Sequence, residues 1–309
     1  MLADKMHRAV QVVLSAAGFP ESHSTVELMS RKHRHAPIIL HPDVFHWYNR
    51  MLGAANQGKR AEVSAIHEEL PRLVHTVIES NDRAERNVDT IGGAVDLIND
   101  ESVISTSFDR CKSTTKLLPD DLRLSYVPTG EKAEEKLREG FSLVAEVWPE
   151  IYEDIQDSIQ KIVLFDEPRT NTGGLLGFTD FKYHGAIFVR ASLIENAKNA
   201  IEVADQLVHE AAHARLNTLF ATRPLLRNDS GALYSSPLRE DARPLIGVFQ
   251  QMFVLSRLVE MYSRLAASGH DCSSERDESA KDLQEAVQVV REHAILTVDG
   301  SELVESIRV

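Results

Sequence analysis

The pentad His209-Glu210-Ala211-Ala212-His213 is the part of this chain whose residue types and spacing point most directly to chemistry. On a helix, side chains four residues apart lie one above the other on the same face, so the two imidazoles can reach one metal ion. The flanking sequence predicts such a helix, because Ile201–Val208 leads into the pentad and no Pro or Gly follows until Pro224. With these His and Glu frequencies, about 0.05 pentads of this pattern are expected by chance. Glu210 is suited to hold a metal-bound water or to orient a ligand. Ala211 and Ala212 allow close packing behind the metal face.

Two imidazoles seldom complete a functional metal site, so a third donor decides the chemistry. Downstream, a second helix carries Phe249, Gln250, Phe253, Arg257, Glu260 and Met261. Glu260 follows Phe249 by eleven residues, about three helical turns, and shares a face with Phe249 and Phe253. A carboxylate there suits the third position of a zinc peptidase. The competing role for Glu260 is an ion pair with Arg257 or Arg264. Gln250 lies about 80° from Glu260 around that helix, so the two do not converge on one ion.

His209–His213, taken with Tyr-Ser-Ser-Pro-Leu-Arg-Glu-Asp-Ala-Arg-Pro-Leu-Ile-Gly-Val-Phe at Tyr234–Phe249, resembles a known family. The likeness is to the HExxH-containing peptide-modification proteins of ribosomally made natural-product pathways, and it spans Phe181–Tyr262. It implies an Fe(II)/2-oxoglutarate-dependent oxygenase that hydroxylates a side-chain β-carbon of a precursor peptide. His209 and His213 would be metal ligands and Glu210 an orienting group. Where such proteins carry a histidine after the Gly-Val-aromatic step, this chain has Gln250, a weaker neutral oxygen donor. The likeness also implies a cation gripping the distal carboxylate of 2-oxoglutarate, for which a guanidinium is suited. Arg239 and Arg243 lie in the matching segment, where the local alternative is pairing with Glu240 or Asp241. Two other readings stand beside this one. In a zinc hydrolase, Glu210 would be the general base; in a peptide-binding protein that has lost its chemistry, Gln250 would be the mark of the loss.

The elements that must position these groups follow from periodicity and punctuation. Helices are expected at 3–17, Asp43–Ala55 and Arg60–Ser80, the last with a kink or break at Pro71. A helix is expected at Gly93–Ile98, a short strand at Arg123–Val127, and a long helix at Gly130–Ser158 broken at Pro149. Lys161–Phe165 and Phe181–Arg190 read as strands. Within the second of these, Gly185–Arg190 is placed to pair with a substrate peptide by edge addition. Thr170–Gly174 reads as a turn and the basic run Arg31–His35 as a solvated loop. Helices then follow at Leu193–Phe220, Ala242–Ala267 and Ser274–His293, with a short segment at Ser301–Ile307. That order predicts a mostly helical α+β fold, with a small sheet next to the metal-binding helix. Residues 1–125 form an expected helical region suited to peptide recognition, and 126–309 the catalytic region.

Composition sets the limits. The 309 residues carry 34 Lys+Arg against 47 Asp+Glu, a formal net charge of −13, which disfavours a general nucleic-acid binder. Two cysteines, Cys111 and Cys272, stand far apart and in no metal-ligand spacing, which argues for a reducing, cytoplasmic setting. No apolar run approaches the roughly 20 residues of a membrane span. The stretch Ala9–Ala17, interrupted by Gln11 and Ser15, does not read as a signal peptide.

Overall fold

The computed structural model describes residues 2–19, 22–29, 32–33, 36–86, 96–98, 124–127, 130–166, 176–228, 231–236 and 239–308. Cys111 and the expected turn Thr170–Gly174 lie outside them. The fold is α+β and mostly helical, with a small mixed sheet. It divides into two compact units that interleave along the chain. One holds Met1–Arg138 and Glu153–Lys198; the other holds Glu139–Tyr152 and Asn199–Val309.

The first unit opens with α1 (Leu2–Ala17), which buries Met6, Val10, Val13 and Leu14 along one face. After α2 (His23–Met29) come β1 (Lys32–His33) and β2 (Ala36–Pro37), which pair antiparallel, so that Lys32–His33 of the expected basic loop is a short strand. Helix α3 (Pro42–Asn56) starts where expected, with Pro42 at its first position and the His41 side chain accepting from the Asp43 N–H at 3.3 Å. Helix α4 (Arg60–Arg86) does not break at Pro71. Val63, Ile66, Leu70, Val74 and Val77 recur every three or four residues on both sides of the proline, and all are buried. That continuous apolar seam outweighs the one backbone hydrogen bond that Pro71 removes. Trp47 on α3 donates its indole N–H to the Ile66 carbonyl at 2.8 Å, fastening the two helices.

The sheet completes this unit. Asp96–Ile98, expected as the end of a helix, is instead strand β3, parallel to Lys161–Val163. Strand β4 (Ser125–Tyr126) pairs antiparallel with the far end of β5 (Lys161–Asp166). Helix α5 (Glu131–Val147) and helix α6 (Pro149–Ser158) are separated at Trp148, as Pro149 foretold. Strand β6 (Gly177–Thr179) is antiparallel to β7 (Ala186–Arg190), and β7 is parallel to β5.

The expected strand Phe181–Arg190 is therefore only half strand. Asp180 accepts from the Lys182 N–H at 2.9 Å and starts a 3-10 turn over Phe181–Tyr183, and Gly185 turns the chain at φ +88°. His184 sits in that turn, not on a sheet face. Both edges of β7 are already occupied by β5 and β6, so it cannot accept a peptide by edge addition.

A polar network ties α3 to the sheet. Lys161 Nζ lies 2.6 Å from Asp43 Oδ2, and Tyr183 donates its hydroxyl to Asp43 Oδ1. Burial pushes the Asp43 carboxyl up, but Lys161 and these hydrogen bonds outweigh it and bring the pKa to about 2. Burial, then Lys161, holds His41 at about 3, and burial alone holds His184 at about 4.

After α7 (Ala191–Glu195) the expected helix Leu193–Phe220 is interrupted. Asn199 caps a new helix, α8 (Ala200–Thr222), accepting from Ile201 N–H and Glu202 N–H at 3.0 and 3.1 Å. The second unit is built around α8. A hairpin of β8 (Leu233–Ser236) and β9 (Arg239–Pro244) leads into α9 (Leu245–Ala267), so Ala242–Pro244 is strand where helix was expected. Helices α10 (Ser273–His293) and α11 (Val298–Ser306) close the unit. Gly140 on α5 permits a close approach to α8: a Cβ there would lie 2.6 Å from Val203 Cγ1. No helix among the described residues is long and apolar enough to cross a membrane.

Candidate metal centre

Helix α8 is buried on almost every side. Val203, Ala204, Leu207, Val208, Ala211, Ala212, Ala214 and Leu216 are all in the core. Asp205, Gln206, His209, Glu210, His213 and Asn217 fall within about 140° of the helix circumference, an arc shared with the buried Leu216 and the exposed Glu202. None of the six is exposed, and Gln206 and Glu210 are fully buried. A stripe of acids, amides and imidazoles turned inward is costly unless its members are paired or hold a ligand.

The expected metal pair occupies the centre of that stripe. The imidazoles of His209 and His213 are 5.1 Å apart between ring centroids and tilted by 59°, and both are half-buried. Rings stacked on successive turns with unparallel planes can aim one nitrogen each at a common point beside the helix.

Glu210, expected to hold a metal-bound water or to orient a ligand, has the surroundings of a buried acid. Its carboxyl is 2% exposed and accepts a hydrogen bond from Gln206 Nε2 at 3.0 Å. Its other oxygen, Oε2, is buried with no partner among the described residues. Burial raises the Glu210 pKa to about 8, against the opposing pull of the Gln206 bond, so near neutral pH the group is mostly the neutral acid. Gln206, one turn before Glu210, was not singled out in the sequence. The signal was present in its i,i+4 spacing to the pentad's acid, yet nothing in the sequence says that both face inward.

Two contacts fix the register of α9 against α8. Tyr262 donates its hydroxyl to Asp205, and the Phe249 ring meets Phe220 edge-on at 5.9 Å, so the helices run antiparallel. Gln250 is therefore the neighbour of a residue that meets α8 seven positions beyond His213, about 10 Å along the axis. The structure does not bring Gln250 to the imidazole pair. Glu260 lies at the right level, two residues before Tyr262, but its carboxylate is 2.8 Å from Arg264 Nε in an i,i+4 ion pair. Arg243, paired with Tyr234 in the hairpin, is half-buried and its stem runs alongside Gly247 at the start of α9. Arg239 stands opposite Ser236 in the same hairpin. Ser236 is itself held by Gln251 through a buried 2.5 Å hydrogen bond.

Among the described residues, no three His, Cys, Asp or Glu side chains form a ready metal cage. His209 and His213 could each offer one imidazole nitrogen to a borderline divalent ion. No protein-family model matches the chain, and no curated protein matches it in sequence.

Proposed function

We propose that this protein is a metal-dependent oxygenase that binds Fe(II) through His209 and His213 and uses 2-oxoglutarate to hydroxylate a side-chain β-carbon of a precursor peptide. The observation that carries the reading is the half-buried imidazole pair of His209 and His213, one turn apart on one side of α8. The resemblance of His209–His213 and Tyr234–Phe249 to the peptide-modification family supplies the reaction class. Bound iron would activate O2, the oxidant, with 2-oxoglutarate as two-electron co-reductant, so that one oxygen atom of O2 enters the peptide C–H bond and the other leaves in succinate alongside carbon dioxide.

The chain's own groups have narrower tasks. His209 and His213 hold the ion and leave open the positions that a bidentate oxoacid needs. Arg243 or Arg239 supplies the cation for its distal carboxylate, since a planar guanidinium matches a carboxylate with two parallel hydrogen bonds. Glu210, buried and hydrogen-bonded to Gln206, is poorly placed to deprotonate a metal-bound water. That geometry favours the oxygenase over the zinc hydrolase, which depends on an ionised glutamate facing the ion. The N-terminal helices are the proposed site of peptide recognition, and the cytoplasm the proposed location.

The test is metal analysis of protein purified without oxygen, coupled to an assay for 2-oxoglutarate conversion to succinate. The reading requires bound iron and a peptide heavier by one oxygen atom. Peptide cleavage supported by zinc alone, with no succinate formed, overturns it.

A further inference from the structure

We infer that Ser22 is a histidine-activated nucleophile, an acylation site in the first unit that is independent of the metal reading. Ser22 stands immediately before α2, and its Oγ lies 2.7 Å from Nε2 of His67, 45 residues further on in α4. That is the separation at which an imidazole takes the proton of an attacking hydroxyl. Phe19 lies flat against the imidazole, with ring centroids 3.8 Å apart and planes 4° from parallel, which fixes the plane of the base. In a serine triad a carboxylate has that orienting task; here an aromatic face has it. The buried Ile66 and Leu70 anchor this stretch of α4, so His67 stands on a rigid element. Ser22 and His67 are both half-buried, held on one side and reachable by a small reagent on the other.

A serine hydroxyl is a weak nucleophile unless an adjacent base takes its proton as it attacks. The tautomer this requires carries its hydrogen on Nδ1 of His67, leaving Nε2 to accept from Ser22 Oγ. On attack, the bond from Ser22 Oγ to the acyl carbon forms and the Oγ proton passes to His67 Nε2. The bond from the acyl carbon to its leaving oxygen or sulfur then breaks. The leaving group takes that electron pair, and His67 returns the proton to it or to solvent. The product is an O-acyl serine, with no change of oxidation state. The fitting reagents are small acyl esters and thioesters, whose leaving groups depart with little assistance.

Incubating the full-length protein with p-nitrophenyl acetate tests this, with nitrophenolate release followed by absorbance and the acetyl group located by peptide mass mapping. In wild type, Ser22 should be acetylated well ahead of the exposed Ser24 and Ser64. Ser22→Ala should remove the fast phase of nitrophenolate release. His67→Gln keeps a hydrogen-bonding group beside Oγ but takes up no proton, so acetylation of Ser22 should slow by about 100- to 10,000-fold. Circular dichroism checks that both variants are folded. If wild-type Ser22 reacts no faster than Ser24 and Ser64, the pair only fastens α2 to α4 and the inference fails, whatever the variants do. It fails equally if folded His67→Gln is acetylated at Ser22 at the wild-type rate, or if the acetyl group is found on His67 itself.

Discussion

Tyr262 donates its hydroxyl hydrogen to Asp205 across the antiparallel pair α8 and α9, one helical turn before the first imidazole of the candidate centre. Asp205 is a desolvated carboxyl whose pKa is raised by burial, with the tyrosine bond acting against that rise. Tyr262→Phe leaves that carboxyl without its donor, which should destabilise the protein by about 1–3 kcal/mol. Urea unfolding of the variant checks this. Because the bond also sets the helix register, a wild-type unfolding midpoint would mean that the helices are aligned by apolar packing alone.

His213→Ala should abolish Fe(II) or Co(II) binding, since it removes one of the two imidazoles. Gln250→His should leave the affinity within about twofold of wild type, because its helix position lies well past the pair. Isothermal titration of both variants decides between this and a third ligand on α9. A large gain in Gln250→His would show that the helices shift on metal binding.

Arg243→Ala should raise the apparent KM for 2-oxoglutarate far more than it lowers metal content. Losing one side of a desolvated bidentate pair costs about 2–5 kcal/mol. Parallel measurement of succinate formation and metal stoichiometry separates the effects, with Arg239→Ala as the companion variant. If neither substitution moves KM, the cosubstrate's carboxylate is gripped elsewhere.

Acid should weaken the first unit before it affects the second. His41, His184 and Asp43 have folded-state pKa values of about 3, 4 and 2, each below the ordinary value. For such groups the unfolded chain binds protons first, so their stability is present above the unfolded pKa and lost as pH falls through the folded one. The histidine contributions should fade from about pH 6.5 to 3–4, and that of Asp43 below about pH 4. Trp47 fluorescence in a Trp148→Phe background reports this unit alone, as the chain has two tryptophans. A midpoint in denaturant that is flat from pH 7 to 4 would contradict the buried, neutral state of both histidines.

Gly140→Ala should cost about 1–3 kcal/mol, the range for overpacking a filled core. The added methyl would sit 2.6 Å from Val203 Cγ1 and 3.3 Å from the Ala204 nitrogen, and Val203 is fully buried. Thermal unfolding measures the loss. Restoration by Val203→Ala in the same chain would assign it to that contact.

What could be read from the residues depended on whether the deciding force was local. Pro42 announces α3, and Pro149 announces the division between α5 and α6. The pentad's helix was equally plain. Phe181–Tyr183 carries strand-forming side chains, but the Asp180 cap and the left-handed Gly185 make a turn of it. Asp96–Ile98 became a strand because β5 offered it a free parallel edge, a partner more than sixty residues away. Pro71 was overruled by burial that a local rule cannot weigh. At the site, the sequence told which residues share a face of α8 but not that this face is enclosed. Nor could it set α8 against α9, on which the placing of Gln250 and Glu260 depends.

The interleaving of the two units bears on how the chain acquires its structure during synthesis. Residues 139–152 leave the ribosome early, but their packing partners begin only at Asn199 and continue to the chain's end. Until those partners emerge, the apolar side chains of Phe141, Leu143, Val144, Val147 and Trp148 have no completed core to enter. The first unit, by contrast, is finished once Lys198 is out. The 139–152 segment therefore stays uncovered until the later residues emerge, and exposed apolar surface of this kind favours association. For the same reason, a fragment beginning at Asn199 would carry the whole pentad helix and still lack part of the core on which that helix is built.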